Sequence, residues 1–167
     1  MLVAAMNPCP CGKASSGERR ECRCLPTEIR KYQSRISGPI LDRFDLQVWV
    51  PAVPTQHIVD QKRNANEDTQ LLSRVSRARD VQHQRGASSK ALLNSNLNQA
   101  ELREHCKLSD ECREVMRKAI SRLSLSARAY MRTLRVARTI ADLEETEVIL
   151  IKHLVEALHY RQRVSVK

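Results

Sequence analysis

Apolar residues recur at three- and four-residue steps through the last quarter of the chain. Tyr130, Leu134, Ala137 and Ala141 form one such stripe. A second stripe consists of Ile151, Leu154, Val155 and Leu158. This period places apolar side chains on one face of an α-helix. We therefore expect helices at about 126–143 and 146–160, packed together in a compact helical bundle.

Short polar signals predict where further helices begin. Asn98, with Glu101 three residues later, resembles a capping box that opens a helix to about residue 106. Ser109 and Ser126 can cap the next two helices, the first of which reaches about residue 123. Pro26 suits the first turn of a helix that fades by residue 34, and residues 68–84 also have helical composition.

Two segments of the first third have the pattern of short strands. Residues 1–6 form a short apolar run, and Leu46, Val48 and Val50 alternate with other side chains before Pro51. Ser-Gly-Pro at residues 37–39 predicts a turn. The predicted fold is mainly α: a helical bundle preceded by a partial α/β core that has two short strands and a Cys-rich loop.

The proline-flanked segment that follows the second predicted strand suggests a domain boundary. We expect a first domain at 1–54, a linker with a helix at 55–90, and a helical domain at 91–167. Residues 85–89, Arg-Gly-Ala-Ser-Ser, form the predicted break before the last domain.

Two close cysteine pairs lie in a segment that has no apolar period. Cys9 and Cys11 are followed, after ten residues, by Cys22 and Cys24. Four thiolates can hold Zn²⁺ in a closed tetrahedral site, and metal binding can organise a loop that has no core of its own. Free thiols, disulfides and redox chemistry remain alternatives, since the spacing is one residue where two is usual. Two further cysteines are expected to be ordinary buried thiols, Cys106 and Cys112.

The chain is strongly basic. Its 29 Lys and Arg residues outnumber 19 Asp and Glu residues, which gives a formal net charge of +10. Such a charge attracts polyanions and favours nucleic acid or nucleotide as the partner, although arginine-rich helices can also be solvated surfaces. We read no secretion signal and no run long enough to span a membrane, so we expect a cytoplasmic protein that does not bind membranes.

Residues 38–46, Gly-Pro-Ile-Leu-Asp-Arg-Phe-Asp-Leu, set Arg43 between Asp42 and Asp45. Alone, this could be a surface ion-pair cluster. The segment nevertheless resembles the arginine-finger segment of magnesium-chelatase-like AAA+ ATPases of the ComM/YifB type. In that family the arginine faces the nucleotide of a neighbouring subunit, where a planar guanidinium suits charge that develops on the γ-phosphate.

The resemblance extends along most of the chain. Residues 2–8 look like the fourth core strand ending in the sensor-1 polar residue, here Asn7. Residues 123–130 and 134–143 are similar to the family's lid helix, with Arg128 in the sensor-2 place. The Cys-rich insertion is particular to the ComM-type branch.

The resemblance implies a subunit of a homo-hexameric ATPase that uses ATP and Mg²⁺ to remodel DNA junctions, with a chelatase-type role in metal insertion as a related possibility. Asn7, Arg43 and Arg128 would then act on the γ-phosphate. Arg128 is alternatively a solvated helix arginine, and Asn7 a turn cap. Arg132 and Arg135 share the face of Arg128, so the three can instead form a basic stripe that binds nucleotide phosphate or an acidic neighbour.

The sequence also departs from the family pattern. The family's phosphate-binding loop and Mg²⁺-binding acid precede the segment that matches Met1. We therefore expect a fragment or a truncated reading frame that does not hydrolyse ATP alone. The alternative function is a self-sufficient, zinc-stabilised helical module that binds nucleic acid.

Overall fold

The computed structural model describes residues 1–14, 22–51, 53, 65–86 and 93–161. These residues are mainly helical, as predicted, and a single turn of 3₁₀-helix lies at Asn94–Asn96. The α-helices are α1 Pro26–Gln33, α2 Gly38–Leu41, α3 Ala65–Gly86, α4 Gln99–His105, α5 Asp110–Leu123, α6 Ala127–Leu143 and α7 Ile151–His159. The predicted turn at 37–39 is thus the start of the short helix α2.

The two predicted strands do not form. Residues 1–6 and 46–50 have neither helix nor strand structure, and no strand occurs in the described part of the chain. A strand exists only through backbone hydrogen bonds to another strand. The backbone N–H of Gln47 instead donates to the carbonyl oxygen of Tyr160, 2.9 Å away. The apolar pattern of both segments was read correctly, but a pattern alone supplies no pairing partner.

The chain divides into two units. The first comprises Met1–Phe44, Val48–Gln61 and Arg163–Lys167, and the second comprises Asp45–Gln47 and Lys62–Gln162. The helix predicted inside the linker, α3, lies in the second unit. The boundaries at 54 and 90 stay a prediction.

The first unit has little apolar core among its described residues. Helices α1 and α2 contain no buried residue, whereas Cys9 and Ala14 are buried. The side chain of Glu28 accepts the backbone N–H of Leu25 at 2.8 Å and so closes the first turn of α1. Order in this unit therefore centres on the cysteine segment and not on helix packing.

The second unit is built around α6, which contacts α3, α4, α7 and the 3₁₀ turn. Its predicted stripe is confirmed, because Leu134, Ala137 and Ala141 are buried and Tyr130 packs against the core. The other buried apolar side chains come from every remaining part of the bundle, among them Leu97, Leu102, Met116, Ile149, Leu154 and Leu158. Burial of these side chains is the main force that holds the bundle together. Cys106 and Cys112 are buried thiols, as predicted, and burial raises the pKa of Cys106 to about 11.

The predicted helix caps are confirmed. Asn98 accepts the backbone N–H groups of Ala100 and Glu101, and Glu101 returns a bond to the Asn98 N–H, which completes the capping box. Ser109 and Ser126 each accept an N–H three residues on and so begin α5 and α6. These bonds satisfy donors that the first helical turn leaves open.

The last helix begins later than predicted, at Ile151 and not near residue 146. Helix α6 ends with Glu145 in the left-handed region, at φ 55°, and the backbone N–H of Thr146 bonds back to Ala141. The guanidinium of Arg138 then donates to the carbonyl oxygens of Thr146 and Glu147. These bonds hold residues 146 and 147 against the end of α6, and α7 begins only at Ile151.

The predicted stripe of α7 is only half correct. Leu154 and Leu158 are buried, but Ile151 and Val155 are exposed by 40% and 54%. Their places in the core are taken by His153 and Ala157, which are fully buried. A buried histidine in this position was not foreseen.

A buried polar network joins α3, the 3₁₀ turn and α6. The Asp142 carboxylate, fully buried, accepts bonds from Arg85, Arg138 and Asn94. The backbone N–H of Asn94 in turn donates to the buried side chain of Gln82. Burial of Arg138 lowers its pKa, while the Asp142 charge opposes that shift. The network satisfies charges whose burial would otherwise be costly.

Among the described helices, none combines the length and the apolar character that a bilayer span requires.

Candidate functional site

The four paired cysteines come together at one point. The ligand atoms of Cys9, Cys11, Cys22 and Cys24 all lie within 4.8 Å of one another. Cys9 Sγ lies 3.3 Å from Cys11 Sγ and 3.7 Å from Cys22 Sγ. A tetrahedral ion with metal–sulfur bonds of about 2.3 Å places its sulfur atoms about 3.8 Å apart. The donor set and its spacing therefore fit one Zn²⁺-sized ion.

A tight turn follows the first cysteine pair, of which Cys9 is buried and Cys11 is exposed. Gly12 has φ 76°, which a residue with a side chain rarely adopts, and its N–H donates to the Cys9 carbonyl at 3.0 Å. The backbone N–H of Ala14 lies 3.3 Å from Cys9 Sγ. Just before the first cysteine, the Pro8 carbonyl accepts a hydrogen bond of 2.9 Å from the side chain of Gln33, the last residue of α1. These hydrogen bonds hold the cysteine segment in place.

The thiols of the cluster differ in acidity. A backbone hydrogen bond at Lys13, followed by one to the Cys9 side chain, lowers the pKa of Cys11 to about 6. The pKa of Cys24 rises to about 12, because a lowering backbone bond at Cys11 is outweighed by the side-chain bond to Cys11 and by partial burial. One thiolate among neighbouring thiols is a natural first ligand for a soft cation.

Asn7, the predicted sensor residue, is exposed directly beside this turn. A Cβ atom on Gly12 would lie 3.6 Å from Asn7 Nδ2. The amide is therefore in contact distance of the cysteine turn. Its action on a phosphate stays a prediction.

Arg43, the predicted finger, follows α2 on an exposed turn. Its guanidinium donates to the Pro39 carbonyl at 2.7 Å and forms no ion pair with a described residue. The neighbouring acids do not neutralise it in this structure. An exposed guanidinium without a carboxylate partner can reach an anionic ligand.

The three arginines predicted to share a face of α6 do so. Arg128, Arg132 and Arg135, with Met131, line a shallow cavity of about 310 Å³. Arg128, in the first turn, is exposed and has no ion-pair or hydrogen-bond partner among the described residues. The guanidinium of Arg128, exposed and without such a partner, suits phosphate oxygens.

The other two arginines have partners within the second unit that the sequence did not reveal. Arg132 pairs with Asp45 at 2.5 Å, and Arg135 donates twice to the Leu97 carbonyl, at 3.2 and 2.7 Å. For Arg132 the structure therefore supplies the acidic neighbour that was one of the alternatives. Asp45 drew attention only as part of the Arg43 motif, because residues 87 positions apart give no local signal of contact.

A larger cavity, of about 430 Å³, lies next to this ion pair. Apolar and polar side chains both line it, among them Leu46, Arg132, Val136, Ile140, Glu156 and Tyr160. Asp45 also lines it, next to Leu46.

Two family models match the chain. Residues 1–58 match the model described as magnesium chelatase, subunit ChlI, and residues 65–161 match the model of the ChlI C-terminal region. Together the two matches cover both units of the structure.

Curated relatives are similar over nearly the whole chain. Competence protein ComM of Haemophilus influenzae is 40% identical over 163 residues, which are 98% of this chain and 31% of that protein. The YifB proteins of Escherichia coli and Salmonella typhimurium are 38% and 36% identical over 160 residues, which are 96% of this chain and 30% of each relative. The chain spans about a third of the length of these relatives.

Proposed function

Because the chain belongs to the magnesium chelatase ChlI family, we propose that it supplies sensor and arginine-finger residues to a AAA+ ATPase that remodels DNA. The observation that carries the proposal is the arginine face of α6, where Arg128 is exposed without a described partner beside Arg132 and Arg135. Arg128 offers a positive charge without a described counter-ion to a ligand that has several phosphate oxygens, while Arg132 is paired with Asp45.

Each proposed residue has a distinct task. Arg128 binds the β- and γ-phosphates of ATP held by the same subunit, with Arg132 and Arg135 extending the positive surface. Arg43 acts on the nucleotide of the next subunit and stabilises charge that develops on the γ-phosphate in the transition state. Asn7 orients the attacking water or the γ-phosphate through its amide.

Mg²⁺ bound with ATP would neutralise the phosphates and polarise the bond that breaks. The residues named here do not fit that ion, since Asn7, Arg43 and Arg128 supply no carboxylate. Hydrolysis therefore needs ligands beyond this set, and we expect the 167-residue chain alone to be inactive. Arginine side chains stabilise charge but cannot replace the phosphate-binding loop and the metal-binding acid.

Zinc is the proposed resident metal of the cysteine cluster. The sulfur positions suit a tetrahedral ion, and four protein ligands leave no open coordination site for substrate. Its role is therefore structural. It replaces the apolar core that the described helices of the first unit do not provide.

DNA and further subunits are the proposed partners, in a cytoplasmic homo-hexameric ring. Support for DNA comes from the net charge of +10, and support for the ring from Arg43, which has no acid partner among the described residues. A charge-driven complex should weaken steeply as salt is added.

A hybrid enzyme tests the proposal. This chain would replace the matched segment of Haemophilus influenzae ComM, and ATP turnover would be measured with and without DNA. We expect turnover in the hybrid, and a loss on the order of a thousandfold when Arg43→Ala is introduced, with ATP affinity nearly unchanged. Arg30→Ala, an exposed arginine of α1, is the matched control and should leave turnover unaffected.

Mixed rings separate the finger role from a folding defect. Arg43→Ala subunits combined with subunits that lack a working phosphate-binding loop should regain part of the activity if the arginine acts across an interface. Wild-type turnover in the Arg43→Ala hybrid would exclude the finger role. Tight, salt-dependent DNA binding by the 167-residue chain, with no ATPase activity in the hybrid, would favour the stand-alone nucleic-acid module.

A further inference from the structure

A three-residue segment belongs to the helical unit although the chain on both sides of it belongs to the other unit. This segment is Asp45–Gln47, and it begins two residues after Arg43. A side-chain contact and a backbone contact attach it to described residues of the helical unit. The first contact is made to α6, and the second is made to Tyr160, which directly follows α7.

The side-chain contact joins Asp45 to Arg132. The distance from Arg132 Nη1 to Asp45 Oδ1 is 2.5 Å. Arg132 is only 19% exposed, whereas Asp45 is 54% exposed. The Arg132 side chain is therefore the better fixed of the two, because the bundle packs around it. Asp45 is held mainly through its bond to that arginine.

The backbone contact follows two residues later. The N–H of Gln47 donates to the carbonyl oxygen of Tyr160 at 2.9 Å, at the end of α7. Two bonds at positions 45 and 47 restrict both the place and the direction of the segment. Leu46 between them lines the cavity that lies against α6 and α7.

This attachment limits where Arg43 can lie. Consecutive Cα atoms are about 3.8 Å apart, so the Arg43 Cα stays within about 7.5 Å of the Asp45 Cα whatever the conformation of Phe44. A contact made by α6 therefore restrains the backbone that presents the proposed finger. The same helix carries Arg128 four residues before Arg132, one helical turn away.

We propose that Asp45 is a positioning residue: its ion pair with Arg132 fixes to α6 the backbone two residues after Arg43. The inference rests on the proposed function of Arg43. It assigns to the second acid of the Arg43 motif a task that is separate from any direct contact with nucleotide. Arg132 in turn serves the finger as well as the positive surface of α6.

The alternative is that the pair is an ordinary surface ion pair, most of which contribute little to stability. A positioning pair and an ordinary surface pair predict different results when the two charges are exchanged. A positioning pair is restored by Asp45→Arg combined with Arg132→Asp, whereas loss of a simple surface pair leaves both the segment and the activity unchanged.

The first measurement uses the 167-residue chain. Amide exchange at Gln47 is compared among the wild type, Asp45→Asn, and the double variant Asp45→Arg, Arg132→Asp. We expect exchange about fivefold faster in Asp45→Asn, as for the loss of a favourable exposed pair, and near the wild-type rate in the double variant. Asp110→Asn, which breaks the exposed pair with Arg113 on α5, is the control and should leave Gln47 unchanged.

The second measurement uses the ComM hybrid. Asp45→Asn should reduce ATP turnover about tenfold while the KM for ATP stays within about twofold, because the residue acts through Arg43 and not on ground-state binding. Asp45→Glu, which keeps the carboxylate, should retain most of the turnover; Arg132 is left unchanged in this measurement because it also belongs to the positive surface of α6.

The outcomes separate this inference from the proposed function. Unchanged Gln47 exchange in Asp45→Asn overturns the inference, whatever the activity. Faster exchange with full turnover also overturns it, since the pair would then be structural only. A wild-type hybrid without ATP turnover overturns the proposed function and also the inference that rests on it. A hybrid that loses activity with Arg43→Ala but not with Asp45→Asn supports the proposed function and refutes the inference.

Discussion

The Nδ1 atom of His153 accepts a hydrogen bond of 3.1 Å from the backbone N–H of Leu150, three residues earlier. Since Nδ1 accepts, the ring proton is assigned to Nε2, which lies 3.0 Å from Glu144 Oε2. The ring is fully buried and both of its nitrogens have partners. A histidine therefore does at the start of α7 what a glutamate does in a capping box.

Replacing His153 should uncap α7. His153→Leu removes the acceptor for the Leu150 N–H and the donor to Glu144, and we expect the free energy of unfolding to fall by about 1–3 kcal/mol. His153→Gln keeps an acceptor and should lose about half as much. Urea unfolding measures both, with His83→Leu on the exposed face of α3 as a control. Equal losses for Leu and Gln would contradict the capping role.

Glu144 should make stability depend on pH in the acid range. Its hydrogen bond to Lys152, followed by that to His153, lowers its pKa below 4.5. A lowered carboxyl pKa stabilises the fold above about pH 4.5, and that contribution is lost as pH falls through the lower, folded-state pKa. The melting temperatures of wild type and Glu144→Gln should differ at pH 7 and converge as the pH falls through that lowered pKa. A constant gap would refute the linkage; Glu104→Gln, exposed on α4, is the control.

Asp142 should be the most costly acid to remove from the bundle. Asp142→Ala leaves Arg138, which is 2% exposed, without its carboxylate and takes a partner from Arg85. We expect a loss of about 3–5 kcal/mol in the free energy of unfolding. Asp110→Ala, which breaks an exposed pair with Arg113, should cost at most about 1 kcal/mol. Chemical denaturation of the two variants side by side decides the matter, and similar losses would argue against a structural role for the network.

Zinc removal should affect the first unit alone. We expect metal analysis of reduced protein to give about one Zn²⁺ per chain, and Cys9→Ser with Cys24→Ser to abolish binding. The helices α4–α7 have their own apolar core, so their amide protection should survive chelation. A metal content near zero, with all thiols free to react, would exclude the site.

Local signals explain what the sequence could predict. The caps Asn98, Ser109 and Ser126 act within three residues, and the stripe of α6 repeats every turn, so a short window contains the whole cause. The cysteine cluster was predictable for a similar reason, since its pairs are close in sequence and their chemistry is specific.

Contacts between distant residues explain what the sequence could not predict. The late start of α7 depends on Arg138, and the pairing of Asp45 with Arg132 spans 87 positions. The two expected strands were wrong because a strand also depends on distant residues. Their apolar pattern is local, but pairing requires a partner that only the tertiary structure can provide.

The membership of residues 45–47 in the helical unit has a practical consequence for dissection of the protein. A clone that begins at Lys62 would contain every described helix of the bundle but not the strip that covers Arg132 and Tyr160. Its cavity would open to solvent, and Arg132 would lose its counter-ion. The helical unit is therefore discontinuous along the chain, and no single cut in the polypeptide releases it with all of its residues.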